Sequence, residues 1–187
     1  MTRLIRRFLA AIGAAAIALL VVVTAPAASV PLQIGDAAPR FRTTAALGGK
    51  TFDFDLAAAL RKGPVVLYFF PKAFTQGCTA EAHAFADATP RFAALGATVI
   101  GISHDDIDTL RRFSTEACRD QFAVGSDPKA RTIHAYGAAS LLPGMASRIS
   151  YVIDQDDKVV FVHEGSDPLK HADETLKAVQ RLAAAGR

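Results

Sequence analysis

The sequence predicts an α/β protein, and three stretches carry that reading. Residues 65–70, Val65-Val66-Leu67-Tyr68-Phe69-Phe70, form an apolar run with no polar alternation, the mark of a strand covered on both faces in a parallel sheet. A helical stretch and a second apolar run, residues 98–102, follow it. Strand, helix and strand over about forty residues make a right-handed βαβ unit. Further on, residues 148–154 and 158–162 flank Gln155-Asp156-Asp157 and read as an antiparallel hairpin, so a parallel half is joined to an antiparallel one.

Each element has a local reason. Residues 40–44 and 51–54 flank Leu47-Gly48-Gly49-Lys50, a hairpin around a glycine turn. Asp55 then caps a brief helix over residues 56–61, which stops at Gly63-Pro64. After the first buried strand comes a helix over residues 78–95. Ser103, Asp105 and Asp106 open another helix, in which Ile107, Leu110, Phe113, Ala117 and Phe122 recur at helical spacing and Cys118 lies at the edge of the stripe. A short strand near residues 122–124, a helix from Asp127-Pro128 to about Tyr136 and an irregular segment over residues 137–147 lead to the hairpin. An amphipathic helix over residues 171–185 closes the chain.

The first residues are read separately. Arg3, Arg6 and Arg7 precede an uncharged tract of 18 residues, Phe8 to Ala25, which ends in Ala25-Pro26-Ala27. A positive start, an apolar middle and small residues at the cut define an export signal, so residues 1–27 are expected to be a signal peptide and residues 28–187 a single domain. The tract is also just long enough to half-span or span a bilayer, which leaves an uncleaved anchor open beside cleavage near Ala27 or Ala28. The residues around Arg6-Arg7 fit a twin-arginine signal poorly, and a Sec route to the periplasm is expected. The pI of 9.0 is a property of this leader. Without its three arginines the remaining 18 basic residues equal the 18 acidic ones, and no basic or aromatic-interleaved patch is left to favour nucleic acid or acidic lipid. The only membrane contact expected is through the leader.

Cys78 falls where the buried strand gives way to a helix. Unpaired N–H groups and the positive end of the helix dipole stabilise a negative sulfur at such a place. Pro71, Thr75 and Cys78 reproduce a Pro-x-x-x-Thr-x-x-Cys signature that resembles the peroxiredoxins, and Gly77-Cys78-Thr79-x-Glu81 is similar to their bacterioferritin-comigratory-protein (PrxQ) branch. The similarity runs from about Gly35 to the C-terminus. It implies a thioredoxin-like fold with an N-terminal β-hairpin extension, and a thiol-dependent peroxidase that reduces hydrogen peroxide and organic hydroperoxides without a cofactor or metal. A monomer or weak dimer fits this branch.

By the same resemblance each part of the chemistry has a candidate. Cys78 is the nucleophile, oxidised to a sulfenic acid. The Thr75 hydroxyl can hold the distal peroxide oxygen while touching the sulfur. Arg148, at the start of Arg148-Ile149-Ser150-Tyr151-Val152-Ile153-Asp154, supplies a permanent cation, Pro71 shields the sulfur, and Glu81 orients the arginine. Many PrxQ proteins carry a second cysteine five residues after the first, where this chain has His83, so Cys118 is the candidate resolving cysteine, through an intramolecular disulfide reopened by a thioredoxin-like dithiol partner. On its residues alone a cysteine at an apolar helical edge is usually core, and a structural disulfide between Cys118 and Cys78 stays open beside that.

Rival readings lack their residues. A thiol–disulfide oxidoreductase on this fold uses two cysteines separated by two residues, and Cys78-Thr79-Ala80-Glu81 has one. A copper chaperone on this fold would show a cysteine pair three residues apart with a distant histidine, and a redox-inactive binding module would show a Cys78 inert toward peroxide. The five histidines have no metal-ligand spacing, and Asp105, Asp106 and Asp108 suit a helix start better than paired acid–base chemistry.

Overall fold

A computed structural model describes residues 30–186, and the expected leader lies outside the described residues. Seven strands form one sheet: β1 (Arg42–Leu47), β2 (Lys50–Asp55), β3 (Val65–Phe69), β4 (Thr98–Ser103), β5 (Ala123–Ser126), β6 (Ile149–Ile153) and β7 (Val159–Glu164). Their order is β2-β1-β5-β4-β3-β6-β7. The central β5, β4 and β3 are parallel, and β6 turns the sheet antiparallel against β3. The first hairpin is part of this sheet, because β1 also pairs with β5. Its turn places Gly48 and Gly49 at φ +56° and +73°, the left-handed pair that a two-residue hairpin loop requires.

Strand β3 has no exposed residue, as its composition demands. Val66 and Tyr68 point to one core with Phe85, Phe92, Phe113, Val152 and Leu176. Val65, Leu67 and Phe69 point to the other with Ile100, Ile133, Tyr136 and Tyr151. Helices α2 (Gln76–Ala94), α3 (Ile107–Glu116) and α5 (Pro168–Ala185) cover the first face, while α1 (Leu56–Leu60) and α4 (Arg131–Ala135) lie on the second. Asp55, Asp106 and Asp167 cap α1, α3 and α5 by accepting backbone N–H groups of Ala58, Thr109 and Leu169.

Two boundaries differ from the sequence reading. Helix α3 stops at Glu116, so Cys118 is not at a helix edge: it sits in the turn beyond, fully buried, followed by Arg119 and Asp120 at φ +52° and +59°. Helix α4 starts at Arg131 and not at Asp127, because Ala130 adopts φ +52° while the Asp127 carboxylate accepts from the N–H groups of Arg131 and Ile133. Among the described residues no helix is long and apolar enough to cross a membrane.

Candidate active site

The site forms where the loops after β3 and β4 meet the start of α2. Asp105, in the loop just beyond β4, accepts from the Ala73 N–H at 2.8 Å and from the Ser103 hydroxyl at 2.9 Å, which ties the two loops together. Asp105 is therefore a loop anchor, and Asp106 alone of the acidic cluster caps the helix. Phe74 takes φ +63° and lies against Phe113, with the Arg112 guanidinium 5.2 Å over its ring. Its left-handed backbone turns the chain so that Thr75 can begin α2.

Thr75 is the N-cap by backbone only. Its carbonyl accepts from Thr79 N–H at 2.9 Å, whereas its hydroxyl is exposed and donates to the Lys72 carbonyl at 3.0 Å. The N–H groups of Gln76, Gly77 and Cys78 precede the first helical bond and have no acceptor within the helix. Cys78 lies in this same first turn as a free thiol only 2 % exposed.

Arg148, just before β6, bridges the site. Its Nη2 donates to Cys78 Sγ at 3.4 Å and its Nη1 to Glu81 Oε2. The approach depends on Gly77, where a Cβ would stand 3.3 Å from Nη2. Glu81, three residues after Cys78 on α2, is fully buried. Burial pushes its carboxyl up to about 8, against the opposing pull of Arg148. Pro71 lines a hollow that reaches Arg148, together with Ser147, Gly165 and Ser166. His83, where the related branch has its second cysteine, is half-buried on α2.

Cys78, Glu81 and Arg148 are thus brought into direct contact, with Thr75 at the same helix start and Pro71 at the opening. Cys118 is apart from them. Arg119, its neighbour, pairs with Asp87 at 2.8 Å, which puts this segment beside the middle of α2, on the order of 10 Å along the helix from Cys78. Burial raises the Cys118 thiol far above its ordinary range, and Asp120 adds to the shift. Sequence reasoning overlooked His171 and Ser150, which back Glu81: His171 Nδ1 lies 3.8 Å from Glu81 Oε1 and 2.8 Å from Ser150 Oγ. One signal was available, since His171 begins the buried stripe Ala172, Thr175, Leu176 and Val179 of α5.

A thioredoxin-like sheet that sets one buried cysteine at a helix start beneath an arginine defines a thiol-based oxidoreductase. Residues 34–162 match the AhpC/TSA family. Peroxiredoxin Q of Populus jackii chloroplasts is 38% identical over 151 residues, 79% of this chain and 68% of that protein. Its Triticum aestivum counterpart is 39% identical over 121 residues, 64% of this chain and 55% of that protein. Among solved structures, peroxidoxin BcpB of Mycobacterium tuberculosis superposes with a TM-score of 0.73 at 31% identity, covering 80% of this chain and 97% of that one. AhpC of the same organism, at 24% identity and a TM-score of 0.73, shares the fold. The chain belongs to the AhpC/TSA family of peroxiredoxins. Its enzyme class is accordingly that of the peroxiredoxin-type oxidoreductases.

Proposed function

We propose that the protein reduces hydrogen peroxide and organic hydroperoxides at Cys78. The observation that carries this is the Arg148 guanidinium, 3.4 Å from a sulfur at a helix N-terminus. A fixed cation beside the sulfur, with open N–H groups at the same helix start, stabilises the charge that develops on the departing oxygen. The thiolate attacks one peroxide oxygen, the O–O bond breaks, and the other oxygen leaves with a proton as water or an alcohol, giving the Cys78 sulfenic acid. Thr75, whose hydroxyl hydrogen is engaged by Lys72, is free to accept a hydrogen bond from the peroxide. Pro71, which lines the hollow beside Arg148, brings no N–H that would need a partner there.

Cys118 then attacks the sulfenic sulfur, releasing water and forming a disulfide, which a thioredoxin-like dithiol reduces to two thiols. This step needs motion. A disulfide requires Cα atoms within about 7 Å, and a buried Cys118 must reach water before it can ionise. The turn after α3, with two consecutive left-handed residues and an exposed Arg119–Asp87 pair, is the segment expected to open. Export by the N-terminal leader would place this chemistry in the periplasm, where the reductant is a dithiol protein of the thioredoxin kind. Detection of a mature chain beginning near Ala28 in a periplasmic fraction tests that part.

Peroxide consumption by wild type, Cys78→Ser and Cys118→Ser, with the disulfide read by mass spectrometry, tests the chemistry. Cys78→Ser should be inactive. Cys118→Ser should reduce one equivalent of peroxide and then stall with a thioredoxin-type donor. Normal turnover by Cys118→Ser, with no disulfide in wild type, would replace the two-cysteine cycle by a one-cysteine one.

A further inference from the structure

Behind Arg148 the site runs on into a buried polar cluster that peroxide reduction does not call upon. Glu81 gives Oε2 to Arg148, but its Oε1 is buried and has no hydrogen-bond partner among the described residues. Facing that oxygen, 3.8 Å away, is Nδ1 of His171, itself fully buried on α5. The ring's other bonds assign its tautomer. Nε2 lies 3.0 Å from the Gly165 carbonyl, which can only accept, so Nε2 carries the hydrogen. Nδ1 is then an acceptor, and it takes the Ser150 hydroxyl at 2.8 Å.

A neutral His171 therefore shows Glu81 a lone pair. An ionised Glu81 would leave a bare buried oxygen against it, at a desolvation cost that its contact with Arg148 offsets only in part. With a proton on Oε1 turned toward Nδ1, across 3.8 Å and sharing that lone pair with the Ser150 hydroxyl, the carboxyl still accepts from Arg148 through Oε2, and the guanidinium keeps its charge for Cys78. Other groups face this pair from every packed element. Arg148 comes from just before β6 and Ser150 from β6 itself, Cys78 from α2, and Tyr68 from β3, with a buried hydroxyl that has no hydrogen-bond partner among the described residues. His163 of β7 stands edge-on to His171 at 4.6 Å between centroids, and Asp167 caps α5.

We propose that His171 and Ser150 are positioning residues for the Cys78 site: they form the polar wall that holds the Glu81 carboxyl, which in turn sets Arg148 on the sulfur. The consequence for peroxide rests on the function proposed above, while the wall itself does not. Burial supports the same assignment of protons, raising Glu81 to about 8 and lowering His171 to about 4, so that at neutral pH the carboxyl is protonated and the ring neutral.

The test is an infrared titration of the resting, reduced enzyme, following the stretch of the protonated carboxyl that Glu81→Gln abolishes. His171→Leu keeps Glu81 buried but removes the acceptor for its proton, and the midpoint should fall by about one pH unit or more. His171→Asn, whose amide oxygen can accept in the place of Nδ1, should restore most of the shift. Ser150→Ala frees the Nδ1 lone pair for Glu81 alone and should move the midpoint the other way; this mild change also serves if the leucine variant does not fold. The alkaline fall in the rate of Cys78 oxidation by hydrogen peroxide should follow each midpoint. Midpoints that stay put, or that move in the same direction in both variants, overturn the wall. Midpoints that move while the oxidation rate of an active enzyme does not follow overturn its link to Arg148. A protein that oxidises no faster than free cysteine, yet shows the midpoint shifts, would remove the peroxidase reading and leave the wall in place.

Discussion

Arg148 serves two partners with one planar fork, Nη2 toward the Cys78 sulfur and Nη1 toward Glu81, and this double reach is a property of guanidinium and not of positive charge alone. A lysine ammonium is a point charge on a flexible stem and can meet only one of them at a time. It would settle on Glu81 or in water, leaving the sulfur without its fixed donor. Arg148→Lys is therefore expected to slow the first oxidation of Cys78 by peroxide by roughly 100-fold, the loss typical of a preorganised donor, with the fold unchanged. Single-turnover kinetics with a circular-dichroism control measures this. A variant within a few-fold of wild type would place the arginine outside the chemistry. Gly77 belongs to the same account, since a side chain there would crowd Nη2.

Between elements, the contact that matters most is β3 against β4 beneath α2. Tyr68 of β3 is fully buried and stacks on Phe85 at 4.3 Å, and its ring end lies over Gly101 of β4. A Cβ at Gly101 would stand 2.6–2.8 Å from the Tyr68 ring and hydroxyl. No flexible chain end is available to yield, so Gly101→Ala should destabilise the protein by about 2 kcal/mol, read from the midpoint of urea unfolding. Unchanged stability would mean that the tyrosine has room it does not show here. The strand itself was legible in the sequence, because six consecutive apolar residues admit no exposed face. The end of α3 was not: Ala117, Cys118 and Phe122 keep the apolar spacing, but Arg119 and Asp120 turn left-handed with no glycine to announce it. Of the site, Cys78 was marked by its place where a buried strand gives way to a helix, while Thr75, Glu81 and Arg148 were picked out by a resemblance, the arginine having no local mark of its own. The resemblance did not mark His171 or Ser150: the apolar stripe of α5 could have flagged the histidine as buried, but its partners appear only once α5 is packed on β6.

For the whole molecule, the buried pair behind Arg148 predicts an unusual dependence of stability on pH. Glu81 is raised from an ordinary 4.5 to about 8, so between those values the folded protein holds a proton that the unfolded chain has lost, and stability falls as pH rises. His171 is lowered from 6.5 to about 4, so between those values the unfolded chain binds a proton that the folded one refuses, and stability rises with pH. From pH 4.5 to 6.5 the two slopes oppose one another and nearly cancel; above 6.5 only Glu81 acts, and stability declines toward pH 8. Other carboxylates add acid sensitivity at lower pH, which leaves the alkaline limb as the signature of Glu81. The melting temperature of the wild type should therefore be flat from about pH 4.5 to 6.5 and fall from there to 8. Glu81→Gln removes one slope only: its melting temperature should rise from about pH 4.5 to 6.5, through His171, and then stay level to pH 8. Differential scanning calorimetry at constant ionic strength measures both profiles, and an alkaline decline of equal size in the variant would mean that the carboxyl is already ionised in the folded protein at neutral pH.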